Sequence, residues 1–230
     1  MATIFEGFIE AFYLLASFDK EIYSIIGLSI FVSMTATILS SVIGILVGTL
    51  MGLNEFPLKK TIVKIVYSLM ALPPVVVGLF VTLVISRRGP LGNYQLMFTP
   101  LAMIIAQTVL ITPIITGIIY NQTKEYGEDI REISLTLGGN KIDQTILVMR
   151  ELKRTIAIAT TTGFGRGISE VGAVMIVGGN IKGHTRVMTT FIAMNNSMGN
   201  YSESIAMGIV LIVIAVCTNT ALHRISGDVR

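Results

Sequence analysis

Hydrophobic residues in this chain gather into long uncharged runs and do not alternate with polar ones. Such runs cover 25–53, 65–86, 89–123 and 204–222. A bilayer core about 30 Å thick needs about 20 apolar residues per helix, so each run is long enough to cross one. The third run opens on the polar "GPLGNYQ", which reads as a loop and leaves a helix near 98–120. Residues 155–177 add a fifth candidate, interrupted only by Arg166 and Glu170. A central Arg costs about 3 kcal/mol on insertion scales, which the other apolar residues of a span absorb. The pattern therefore predicts five transmembrane helices. Residues 3–18 set Phe5, Phe8, Ile9, Phe12 and Leu15 at helical spacing, with Glu6 and Glu10 between them. That stretch is too short and too acidic for a span, so residues 1–20 are expected to form an external interfacial segment. A sixth span is the alternative, and it would reverse the side of the N-terminus.

Composition supports the membrane reading. Of 230 residues, 52% are hydrophobic and 13% charged, and the mean hydropathy is +0.75. Soluble domains carry about 25% charged residues, so much of this chain is built for a solvent other than water. The length suits a single transmembrane domain over 1–230, with no room for a second, catalytic one. The lone Cys217 excludes an internal disulfide and reads as a packed apolar residue. The opening "MATIFEGFIEAF" is acidic where a leader would be basic, so no cleavable signal peptide is expected.

Charge placement orients the spans. Lys59, Lys60 and Lys64 follow the first span, and Lys124, Arg131, Lys141, Arg150, Lys153 and Arg154 lie between the third and fourth. Arg224 and Arg230 follow the last, while the opposite side carries Lys20, Arg87, Arg88, Lys182 and Arg186. The positive-inside rule then puts the N-terminus and a loop over 179–202 outside, and the 121–154 segment and the C-terminus in the cytoplasm.

Several segments carry possible chemistry. Gly44, Gly48 and Gly52 in "GILVGTLMG" share one helix face and suit close helix packing. Pro73, Pro74 and Pro113 each remove a backbone donor within a span, so those helices should kink or break. Broken helices line cavities in transporters, and kinks also occur in simple bundles; both readings stay open. In 121–154, Ile130, Ile133 and Leu137 recur at helical spacing among Asp129, Arg131 and Glu132, and Gly138-Gly139 should end the helix. This amphipathic piece could dock a soluble partner or lie on the headgroups. Arg166 and Glu170 stand four residues apart, flanked by Gly163, Gly167 and Ser169. One reading is a structural pair that neutralises itself or bridges neighbouring helices; the other is a translocation path in which Arg166 attracts an anion and Glu170 limits its affinity.

Other chemistries are excluded. No GxxxxGK[ST] phosphate loop occurs, "GFGRG" lies inside a span, and no Cys/His/Asp group has metal-ligand spacing. Neither a catalytic nor a nucleic-acid-binding residue set is present, so the chain is not expected to be an enzyme. If ATP powers transport here, another chain binds it.

The cytoplasmic "EISLTLGG" resembles the EAA motif of ABC importer permeases, with Glu132, Ile133, Ser134, Leu135 and Gly138 at the matching places. Ser134 replaces the motif's second Ala, and "VMRE" stands where many members end in hydrophobic-x-Leu-Pro. "LPPVVVGL", "RRGPLG" and "GFGRGISEVGAVMIVGGNIKGHTRVMTT" resemble the molybdate and tungstate branch, and the last block is most similar to tungstate permeases. The resemblance runs along nearly the whole chain. It implies an all-α, MetI-like permease fold in a bacterial or archaeal cytoplasmic membrane. It also implies pairing with a second copy of the chain and two ATP-binding subunits that hold Mg-ATP, and supply by an external tungstate-binding protein. Residues 129–139 would be the coupling helix, and Asn180, Lys182, His184 and Arg186 in the external loop would meet the binding protein. The permease itself needs no cofactor on this reading.

The expectation is thus the membrane subunit of a tungstate importer working by alternating access, with molybdate as the nearest alternative. A secondary anion transporter would need coupling-ion carboxylates in its spans, where Glu170 alone qualifies and no inverted repeat is evident. An intramembrane hydrolase would need paired acids or a Ser/His arrangement, and neither is present.

Overall fold

The structure is a computed structural model. It describes residues 9, 12–13, 16–17 and 19–225, and of residues 219 and 221–225 only the backbone. The interfacial helix expected over 3–18 lies largely outside the described residues.

Every regular element among the described residues is helical. The α-helices are α1 (Lys20–Leu53), α2 (Lys59–Met70), α3 (Pro74–Ile85), α4 (Pro100–Thr136), α5 (Lys141–Glu151), α6 (Lys153–Ile168), α7 (Gly172–Gly178), α8 (Met188–Met198) and α9 (Tyr201–Ile225). A 3-10 turn, Gly92–Tyr94, precedes α4. Among the described residues three helices are long and apolar enough to cross a membrane: α1, α4 and α9 over Tyr201–Thr218. The pair α2 and α3, bent by 105° at its break, is at most a fourth.

The break has a sequence cause. Pro73 takes the N-cap of α3 in extended conformation and Pro74 the first helical position, where a missing N–H costs nothing. Pro113 does not break its helix: α4 runs through it without interruption. Nearby, the Thr112 hydroxyl donates to the Thr108 carbonyl (2.7 Å) and the Thr116 hydroxyl to that of Thr112 (2.8 Å).

Two further elements differ from expectation. No separate helix forms over 129–139: residues 129–136 are the last turns of α4 and 137–139 follow its end, the 37 residues of α4 including Lys124, Glu125, Glu128, Arg131 and Glu132. These are strong helix formers and nothing before Gly138 stops them. At a rise of 1.5 Å per residue α4 is about 55 Å long, well beyond a 30 Å hydrocarbon core. The span expected over 155–177 is split: α6 ends at Ile168 and α7 restarts at Gly172. Gly163, Gly165, Gly167, Ser169 and Gly172 crowd this stretch, and glycine costs about 1 kcal/mol each in a helix interior. The loop expected over 179–202 contains the 11-residue α8.

The chain divides into two compact units. The first takes residues 1–36, 73–107 and 166–218. In it α3 packs on α7 so closely that a Cβ at Gly78 would lie 2.8 Å from Ala173 Cα. The second takes residues 37–72, 108–165 and 219–230. There Gly44, Gly48 and Gly52 face α4: a Cβ would come within 2.9 Å of Ile115, 2.8 Å of the Thr116 carbonyl and 2.4 Å of Thr123 respectively.

Burial along α1 is inverted relative to a water-soluble helix. Its buried positions include Ser29, Ser33, Ala36, Ser40 and Thr49, while Phe31, Met34, Ile38 and Val42 are exposed. Small residues let backbones approach, and the large apolar ones suit hydrocarbon contact. Gly48→Leu should therefore cost about 1–3 kcal/mol by overpacking against backbone and lower the folded yield in detergent size-exclusion profiles. Gly27→Leu, where nothing lies within 4 Å, should leave that profile unchanged.

Candidate functional site

The elbow between α6 and α7 holds the two charges noted in the sequence, and it treats them unequally. The Glu170 side chain is 4% exposed and that of Arg166 40%. They approach to 3.8 Å, Arg166 Nη2 to Glu170 Oε2, the loose end of ion-pair range. Glu170 is committed elsewhere: its Oε1 accepts from the Ala173 N–H (3.1 Å), satisfying a free donor in the first turn of α7. Its carbonyl accepts from the Thr189 hydroxyl (2.8 Å), and its N–H donates to the Gly167 carbonyl (3.1 Å). The carboxylate is thus built into the elbow, while the guanidinium keeps its outer face open. Ser169 is exposed beside it, its hydroxyl donating to the Arg166 carbonyl at 3.2 Å. A cation exposed where its counter-charge is buried can attract an anion from outside the chain.

A second polar group follows α7. Gly179, Asn180 and Gly183 take left-handed backbone conformations (φ 71, 51 and 72°) and fold a tight loop. Thr185 closes it, accepting from the Ile181 N–H (3.0 Å) and donating to the Gly178 carbonyl (2.5 Å). Lys182 and Arg186 both reach Glu21 in the first turn of α1, at 2.7 and 3.7 Å. Arg186 also donates to the Asn180 carbonyl at 3.5 Å. His184, by contrast, is simply exposed on this loop. The loop's two cations are therefore largely answered within the chain.

The third group is the junction of α4 and α5. Gly138 sits at φ +78° with nothing within 4 Å of its would-be side chain. Gly139 is different, since a Cβ there would meet Ser134 Oγ at 2.4 Å. Asn140 caps α5 by accepting from the Ile142 and Asp143 N–H groups (2.8 and 3.1 Å), and Asp143 accepts from the Asn140 N–H (3.0 Å), a complete capping box. Gln144 ties the two helices, accepting from Arg131 Nε (3.1 Å) and donating to the Gly139 carbonyl (3.3 Å). Ser134 is buried in this junction; Glu132, Ile133, Leu135, Leu137 and Ile142 are exposed. The result is a rigid turn that shows apolar side chains on a charged segment.

Residues 44–230 match the family described as the binding-protein-dependent transport system inner membrane component. The chain belongs to these ABC importer permeases. It is 51% identical over 228 residues to the tungstate uptake system permease protein TupB of Peptoclostridium acidaminophilum, covering 99% of this chain and 100% of that one. It is 35% identical to the protein of the same description from Campylobacter jejuni, covering 96% and 93%. Its fold matches a solved chain of the MetNI methionine ABC transporter in inward-facing conformations, with a TM-score of 0.71 at 16% identity over 93% and 95% of the two chains.

As an ABC importer permease the chain is a multi-pass inner membrane transport subunit, not a catalytic one. Its family works with an ATPase and a binding protein. Two residues of this permease escaped sequence reasoning. Gln107, buried within α4, donates from Nε2 to the Gly167 carbonyl (2.9 Å), and its only signal is a lone amide in the apolar "MIIAQTVLIT". Glu21 gave no signal, because its partners lie far along the chain.

Proposed function

We propose that this permease moves tungstate into the cytoplasm, with Arg166 as the cation that meets the dianion. The arrangement that carries this reading is the unequal elbow: an exposed guanidinium beside a buried carboxylate already bonded to Ala173. The substrate follows from the relatives, one of them half identical along its entire length. Two copies of the chain would bring two Arg166 side chains to one path. Each junction of α4 and α5 would seat Ile133, Leu137 and Ile142 in an ATPase subunit that binds Mg-ATP. A tungstate-binding protein would dock outside, where Asn180, Lys182, His184 and Arg186 lie; Glu21 would then compete with it for the two cations.

The test is uptake into proteoliposomes holding the permease with its ATPase and the loaded binding protein. Tungstate should accumulate with ATP, and excess molybdate should inhibit only as far as it loads the binding protein. Accumulation of molybdate with none of tungstate would overturn the substrate.

The orientation is tested separately. In a Cys217→Ala background, single cysteines in 179–202 should react with an impermeant maleimide on intact cells, and those in 121–154 only after lysis. Outside labelling within 121–154 would reverse the topology.

A further inference from the structure

We infer that the elbow encloses a binding site for one water molecule, which bridges Gln107 and Glu170. The cavity lies within the first unit, and its polar side chains are Gln107, Glu170, Ser29, Ser33 and Thr189, with Val32 and Val187 among its apolar walls. It offers about 10 Å³ to the centre of a water molecule, room for a single one. Gln107 is 3% exposed, and its Oε1 has no hydrogen-bond partner.

The amide cannot escape by flipping. Its Nε2 donates to the Gly167 carbonyl, and a flip would set two acceptors against each other. The Ser29 and Thr189 hydroxyl protons are already used, on the Ile25 carbonyl (2.7 Å) and the Glu170 carbonyl (2.8 Å), and the Ser33 hydroxyl makes no bond to Gln107 Oε1. Two buried acceptors, an amide oxygen and a carboxylate, therefore share one small cavity. A bridging molecule must donate twice and be no larger than water, and water meets both conditions. Such a water ties α4 to the elbow and solvates Glu170 from inside. Arg166 is then not required to keep the carboxylate paired, which leaves the guanidinium free to turn outward.

A structure of the assembled transporter at a resolution that shows ordered water should reveal one peak within hydrogen-bonding distance of Gln107 Oε1 and the Glu170 carboxylate. Thermal midpoints of the wild type should be equal in sodium, potassium and choline chloride. Gln107→Met should lose the peak and unfold several degrees lower. A cavity empty of density would overturn the site. A midpoint that climbs with sodium but not with choline would overturn water in favour of a cation.

Discussion

Arg166→Ala is expected to insert and fold at near wild-type yield, yet lose roughly 100-fold in tungstate uptake, the size of a charge-assisted contact to a dianion. The folding half follows from geometry. An ion pair at 3.8 Å with one partner 40% exposed contributes about 0–1 kcal/mol once solvent screening is counted. Glu170 keeps its bond from Ala173 when the guanidinium is gone. Glu170→Gln retains an acceptor for that N–H and should keep both fold and most uptake. Glu170→Ala removes it and should fall several degrees in thermal midpoint. The two effects are then separable, and Arg166→Ala/Glu170→Ala should show the stability loss of one variant with the transport loss of the other. A double-mutant cycle on folded yield and uptake measures this. Recovery of uptake in the double variant would mean that the charges only neutralise each other.

At the α4–α5 junction Gly138→Leu is expected to reach the membrane normally but lose about tenfold of the ATP hydrolysis stimulated by loaded binding protein, equal to ~1.4 kcal/mol of coupling. A side chain at φ +78° carries a cost of about 1–2 kcal/mol for any ordinary residue. Ala and Leu share that cost. They differ in bulk, and inside this chain the bulk meets nothing. Any excess of Leu over Ala must therefore come from a partner pressed against the turn. Gly138→Asn, which tolerates the left-handed region, should behave as wild type. Equal ATPase rates for the Ala and Leu variants would mean that no subunit touches this point.

The spans at α1, α4 and α9 were legible because hydrophobic run length is a local property with a fixed physical yardstick, the bilayer. The motif "EISLTLGG" and the block from Gly163 to Thr190 were legible as a family resemblance for a related reason: each is a short, unbroken string. Where helices stop was harder to read. Pro73 and Pro74 do break the chain, whereas α4 passes through Pro113. The same residue type starts one helix and lies inside another: Pro74 takes a first helical position, where a missing N–H costs nothing, whereas Pro113 stands in the helix interior. The split of the fourth predicted span followed from glycine content that hydropathy does not count.

The sequence by itself determined a membrane permease, its main apolar spans and the presence of two charges in one of them. Those conclusions rest on quantities summed over neighbouring residues. Only the tertiary structure decided which of the two is buried. Arg166 and Glu170 stand on similar ground in the sequence, but burial is set by what the fold packs against each. Thr189 and the first turn of α7 claim Glu170, and Gln107 lines the pocket beside it, while the Arg166 side chain stays 40% exposed. Desolvation then fixes one charge as part of the scaffold and leaves the other partly open to its surroundings.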